Sequence, residues 1–518
     1  MLTRWLSLAA AAALAAAAPD QAFVAASPPP AQLAFTAPQP HQPDLGHLFS
    51  LSWNNRAALQ HAANHLEQAD ADIWFAGRRT VGRQHQWEAV LRLRGDDTLT
   101  SEHIVDRLAA LGVDSPDAGR HIPPAALADY LASPTLSTPY ARTFSAAAIA
   151  NFSLSSSAHD APGNSIHETY HPYEGIHDIL VSFERTYPDW VKVISLGRSS
   201  EGRDIWGVKV TNQSSHATDE AVVPVDEDDD DESDDEEDAG PVPLVVSSKR
   251  HKHKRHRKLG FVVVGTQHAR EWIAASTILY LVHELVVTDD KGRTPHHKLL
   301  NQVEFTFVPV VNPDGYVYSW DTDRLWRKSR QPVGSTSDQK ACYGIDLNRN
   351  WGFHFEPGTR PNPCSDSYPG AEAFESVELQ ALREYLLDEG NHVDAFFDVH
   401  SFGQMLLFPY AYSCKVKTAD EENHYEAVLQ AAKALKDVHG RQFETGSVCD
   451  ISLTSPGMSV DWSYASAKIR WSFGAELRDG GVFGFLLPPS QIRPSGEETS
   501  AALRSLAQFI LDKEAGKR

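Results

Sequence analysis

The chain has 518 residues, 42% of them hydrophobic and 9% aromatic, which exceeds one ordinary domain and excludes a wholly disordered polymer. Its formal net charge of −22 comes from 69 acidic against 47 basic side chains, so nucleic acid is not an expected partner. Much of that charge is local.

Residues 1–5 carry Arg4, residues 6–17 are apolar except for Ser7, and small residues run through Ala18 to Pro19. That order reads as a secretory signal peptide over 1–18, since a membrane span needs about 20 apolar residues. No later stretch is long enough to span. Residues 19–164 should form an N-terminal region in three parts. Residues 26–43 are rich in Pro and Ala and are expected to lack structure. A small α+β module follows, with strands over 73–75 and 89–94, a helix whose Ile104, Val105, Leu108 and Leu111 share a face that Gly112 closes, and a second helix near 125–132. Residues 144–164, rich in Ser and Ala, read as a linker.

The second domain is expected over 165–518. The pattern predicts a helix over 176–187 and strands over 191–197 and 205–211. Residues 226–238 are acidic at every position except Ser233, and a Lys, Arg and His run over 249–258 follows. Like charges repel, so 214–258 reads as a solvated insertion between two strands. Beyond it come an apolar strand over 259–264, a helix over 272–287 with Ile278, Leu281, Val282 and Leu285 on one face, strands over 303–311 and 395–399, an apolar segment over 469–475 and a helix over 497–511. Such alternation implies an α/β fold with a mixed, mostly parallel sheet between helices.

The chemistry gathers at strand ends. His268 and Glu271 stand on the turn after strand 259–264 with two residues between them, and His400 ends strand 395–399. Catalytic zinc takes three protein ligands, two supplied locally and one from a distant strand end, and leaves a fourth position open. Arg327 offers a guanidinium that polarises a carbonyl, and Arg349 a fork for a carboxylate. Asn151 and Asn212 head Asn-x-Ser acceptors for glycosylation. The four cysteines, all between Cys342 and Cys449, invite two disulfides, with three pairings open.

The motifs HAREW at 268–272, NPDGY at 312–316, DRLWRK at 323–328, DLNRNW at 346–351, HS at 400–401, and ELRD with GFLLP within 476–488 occur in this order. Over 170–511 the chain therefore resembles the zinc metallocarboxypeptidases of the carboxypeptidase A and B type. The resemblance implies an eight-stranded sheet and one zinc per monomeric chain, held by His268, Glu271 and His400, with Asp346 behind His268. It makes Arg327 the oxyanion group and Glu476 the general base that takes a proton from zinc-bound water. Arg270, Arg327, Asn348, Arg349 and Ser401 would bind the C-terminus of a peptide or protein, and Val460 would lie at the base of the specificity pocket. The upstream module resembles, in position and size, the activation propeptide that covers the cleft. Secretion, or delivery to a vacuole, is expected.

Two features depart from the family pattern: Leu453 stands where a substrate-capping tyrosine precedes the glycine Gly457, and the charged insertion is additional. A finer resemblance, carried by 312–320, 323–331 and the pair Cys414 and Cys449, is to a fungal branch linked to cell-wall organisation. Its members are thought inactive and characteristically carry lysine at the base position, where this chain keeps Glu476. Cys342 is then expected to pair with Cys364, and Cys414 with Cys449. Two readings follow, a carboxypeptidase that prefers apolar C-terminal residues and a zinc-binding protein without activity. A third, a scaffold built on the charged tract, has no chemistry behind it.

Overall fold

The computed structural model describes residues 47–53, 55–68, 72–81, 84–93, 117–121, 166–213, 257–287, 294–335, 339, 341–357 and 362–516. The signal peptide, the helices expected over 104–111 and 125–132, the linker, Asn151 and most of the charged insertion lie outside them.

The strands of the larger sheet are β5 (Val191–Arg198), β6 (Asp204–Val210), β7 (Leu259–Gly265), β8 (Val303–Val308), β11 (Val393–His400), β12 (Met405–Phe408), β13 (Glu444–Ser447) and β14 (Trp471–Glu476), in the order β13-β12-β14-β11-β7-β8-β6-β5. The pairings β8/β7, β7/β11, β11/β14 and β12/β13 are parallel, and β5/β6, β6/β8 and β14/β12 are antiparallel. Four parallel pairings against three give the expected mixed, mostly parallel sheet. The central strand LGFVVVG is buried at every position because helices cover both faces. Alternate residues divide between the layers. Phe261 and Val263 pack with the helices Tyr173–Thr186, Trp272–Val286, Glu421–His439 and Ile492–Glu514, while Val262 and Val264 face Trp351, Trp462 and the helix Val377–Leu387. Where helices Trp272–Val286 and Ile492–Glu514 cross, a Cβ on Gly496 would stand 2.2 Å from the Tyr280 ring, so only glycine allows that approach.

The strand expected over 303–311 stops at Val308, because Pro309 has no N–H for the ladder. The segment NPDGY opens a helix, Pro313–Asp321, that the pattern did not reveal; Asn312 caps it by accepting from the Gly315 N–H. Arg257 and Lys258, counted with the insertion, are already anchored. Arg257 pairs with Asp394, and the Lys258 ammonium donates to Thr211 Oγ1 and the Asn212 carbonyl, closing the two ends of the insertion on each other. The Asn212 side chain donates to Asn301. Both disulfides form as expected, Cys342–Cys364 and Cys414–Cys449.

The N-terminal module is an antiparallel sheet of β1 (His47–Trp53), β2 (Asp72–Val81), β3 (Gln84–Leu93) and β4 (Asp117–His121), ordered β2-β3-β1-β4. The helix Arg56–Gln68 packs Leu59, Ala62, Ala63 and Leu66 onto Leu51, Trp53, Ala89 and Leu91. β1 and this helix were not anticipated, and the strands sensed at 73–75 and 89–94 are longer than expected. Among the described residues no helix is long and apolar enough to cross a membrane.

Candidate active site

Parallel register brings three carboxyl ends together. Val399 lies beside Gly265 and His400 beside Glu476, so β7, β11 and β14 end on one rim, where open α/β sheets hold their ligands. After Gly265 the chain turns through Thr266, whose φ is +54° and whose hydroxyl donates to the Pro309 carbonyl. That turn carries His268 and Glu271 to the rim.

The two histidines hold the Glu271 carboxylate between them. His268 Nδ1 is 2.8 Å from Oε1, His400 Nδ1 is 2.9 Å from Oε2, and one donor atom from each of the three residues falls within 4.8 Å of the others. Both imidazoles thus turn Nδ1 inward. On the far side His268 Nε2 meets Asp346 Oδ1 at 3.1 Å, while the Arg327 Nε and Nη2 donate to Asp346 Oδ2 at 3.1 and 3.0 Å. Burial alone would raise both carboxylates, but the histidines lower Glu271, and Arg327 with Arg349 holds Asp346 well below the usual range. Two imidazoles and a carboxylate, with each ring nitrogen opposite the cluster already engaged, suit a catalytic zinc.

Glu476 opens onto the cavity beside this cluster. Burial pushes its carboxyl up to about 8, against the pull of His400 and with the push of Glu271. Ser401 donates its N–H to Glu271. Asn348 accepts from the Ser459 N–H, and Arg349 donates to the Asn348 carbonyl. Val460 packs with Met405, Leu407, Val448 and Met458, while Asp461 accepts from the Ala411 and Tyr412 N–H groups and Asp450 pairs with Lys417. His268, Arg270, Glu271, Arg327, Asn348, Arg349, Ser401 and Glu476 therefore line one cavity.

Arg270 is not open to a ligand. Its Nη1 donates to Asp72 of β2 at 2.9 Å, and its guanidinium lies over the Phe485 ring at 4.2 Å. Asp72 also accepts from Trp74 Nε1 and lies 3.7 Å from Arg92. Trp74 and Phe75 enter the apolar group around Val460 and meet Phe485 and Phe402. The next stretch is tied to the loop that bears Leu453: Gly77 bridges Ser452, the Ser452 hydroxyl donates to the Ala76 carbonyl, and Thr454 donates through N–H and hydroxyl to Gln60. Leu453 itself is buried among Leu51, Leu59, Ala62 and Leu91. A cavity of about 170 Å³ remains between module and site.

Sequence reasoning missed Asp72, Trp74 and Asp398. For Asp398 a signal was present, since it precedes His400 by two on the same strand and so shares its face.

A sequence profile described as zinc carboxypeptidase matches residues 176–502. The inactive metallocarboxypeptidase ecm14 of Talaromyces stipitatus is 38% identical over 292 residues, 52% of this chain and 48% of that protein. Carboxypeptidase B of Astacus astacus is 32% identical over 345 residues, 66% of this chain and 98% of that protein. The crystal structure of the carboxypeptidase A from Helicoverpa armigera shares the fold, with a TM-score of 0.65 at 21% identity over 91% of this chain and 99% of that one. The chain spans 48% and 56% of the first two fungal relatives it matches.

Proposed function

The chain belongs to the zinc carboxypeptidase family, and from that premise we propose that it is a secreted carboxypeptidase with one zinc per monomer, kept closed by its N-terminal module. The observation that carries this reading is Glu476, in register with His400 and raised by burial into the range of a working base. When bound, zinc would polarise the scissile carbonyl and bring the pKa of water to about 7. His268, Glu271 and His400 would hold it. Glu476 would take the proton of the attacking water and return it to the leaving amine. Arg327, fixed through Nε and Nη2 by Asp346 and with Nη1 4.0 Å from Glu271, would offer its guanidinium to the developing oxyanion. Asn348, Arg349, Arg270 and Ser401 would receive the C-terminal carboxylate and the chain behind it. The apolar group at Val460 favours an aliphatic or aromatic terminal residue. The apolar leader over 6–17 and the two disulfides support an exported protein.

The test is release of C-terminal Phe or Leu from peptides by zinc-loaded protein after the linker 144–164 has been cut. Faster release of Lys or Arg would overturn the pocket assignment. No release at all would favour the second reading, a zinc-binding protein of cell-wall biogenesis that recognises C-termini without cleaving them. Leu453 supports that reading, as does the similarity to fungal metallocarboxypeptidases described as inactive.

A further inference from the structure

We infer that Asp398 is a positioning residue for the metal centre: its carboxylate orients His400 and strengthens it as a ligand. The inference rests on the zinc reading above.

Residues 396, 398 and 400 share one face of β11, which puts Asp398 one step behind His400. Asp398 Oδ2 is 2.8 Å from His400 Nε2, the nitrogen opposite the one that faces Glu271. Asp398 is 1% exposed, and its other partners are neutral: Gln267 Nε2 donates at 2.6 Å, and the Ser459 hydroxyl donates to the same oxygen. Among the described residues Oδ1 has no hydrogen-bond partner. Among the described residues, no Lys or Arg forms an ion pair with it.

The two histidines differ in what stands behind them. Asp346, behind His268, shares its charge with Arg327 at 3.0 Å. Asp398 has no such counter-ion. A buried carboxylate is costly unless a positive charge answers it, and among the described residues the only ionisable group it hydrogen-bonds is His400. Its field therefore acts on whatever His400 binds. With the metal on Nδ1, the neutral ring carries its proton on Nε2, and Asp398 Oδ2 is the acceptor that holds this tautomer. Asn348 Nδ2, 3.0 Å from the same nitrogen, brings only N–H groups and cannot accept that proton. The support is itself braced, because Gln267 also accepts from Trp351 Nε1 at 3.1 Å, and Ser459 opens the helix that bears Val460.

The experiment compares the full chain with Asp398→Asn and Asp398→Glu. Zinc affinity is read by competition with a chromogenic chelator, and melting temperature is read with and without zinc. Loss of an outer partner of this kind costs roughly 10–100-fold in metal affinity. Asp398→Asn should show that loss with little change in the metal-free melting temperature, and Asp398→Glu should recover part of it. Unchanged affinity overturns the inference, and so does a lowered metal-free melting temperature with affinity intact, the mark of a structural role alone. If Asp398→Asn does not fold, cobalt-substituted wild type decides. It should show two slowly exchanging, metal-shifted ring N–H signals, one for each ligand histidine, and only one signal would overturn the inference. A wild type that takes up no zinc would sink the zinc reading itself and this inference with it.

Discussion

Replacing Asp72 with Asn should open the cleft of the uncut chain. Asp72 is 4% exposed and stands between Arg270 at 2.9 Å and Arg92 at 3.7 Å, with Trp74 donating to it. The substitution takes the Asp72 anion away from the buried Arg270 guanidinium, and losing one partner of a buried pair costs about 3–5 kcal/mol. Arg270 regains water only when the module lifts, so the cost falls on the closed state. The apolar contacts of Trp74, Phe75 and Leu453 and the bonds of Gln60 to Thr454 are untouched, so the module should stay docked for most of the time. Every 1.4 kcal/mol is a factor of ten, and the lower bound of the cost gives roughly 10²-fold more of the open form. A bulky chelator reaches the metal only through that form. The rate of zinc extraction from uncut protein should therefore rise by about two orders of magnitude in Asp72→Asn, and cutting the linker should abolish the difference. Equal rates in the two uncut proteins would refute the claim that this ion pair holds the module down.

Leu453→Tyr should act in opposite senses on the two forms. In cut protein it supplies a substrate hydroxyl worth ~1–3 kcal/mol, read as a rise in kcat/KM, whereas in uncut protein a phenol among Leu51, Leu59 and Ala62 should speed zinc extraction. No gain in cut protein would show that the loop does not reach the substrate. Glu476→Gln should cost roughly 10²–10⁴-fold in kcat with zinc retained, and His268→Ala should lose the metal itself, both scored by peptide release beside metal analysis. The pH dependence of stability should show His171. Burial lowers its pKa to about 4, against the raising effect of the Ile166 carbonyl it bonds. The unfolded chain therefore binds the extra proton below about 6.5, and stability present above that pH is lost as pH falls towards 4. The shift is worth about 3 kcal/mol. His171→Gln should flatten that part of a melting-temperature profile, and an unchanged slope would exclude the residue.

The part of the site that the sequence revealed is the part written locally. His268 and Glu271 sit on one turn, and His400 and Glu476 end apolar runs, so strand-end placement could be read without knowing the sheet order. The larger sheet was legible for the same reason, since LGFVVVG is a continuous apolar run and AFFDV is broken only by Asp398, as buried parallel strands are. What stayed hidden depends on contacts between distant segments. Asp72 pairs with a residue 198 positions away, and nothing in its neighbourhood says so. Leu453 read as a missing hydroxyl, but its burial in the core of the module gives it a second role that no local pattern carries. The short helix at NPDGY was read only as a motif because its apolar face is brief, although Asn312 at its cap and Pro313 behind it are start signals.

The clasp of Lys258 on Thr211 and Asn212 has a consequence for how such a chain can change over generations. Because the charged tract leaves and re-enters the body at neighbouring residues, its closure is already made by the strands on either side. Each doubling of a loop adds only about 0.6 kcal/mol of closure entropy, so a tract of some forty residues costs roughly 2 kcal/mol more than a tight turn of five. Lengthening, shortening or recharging it is therefore nearly invisible to the fold. The body fixes where the tract is attached and leaves its size and charge to be set by whatever it meets outside.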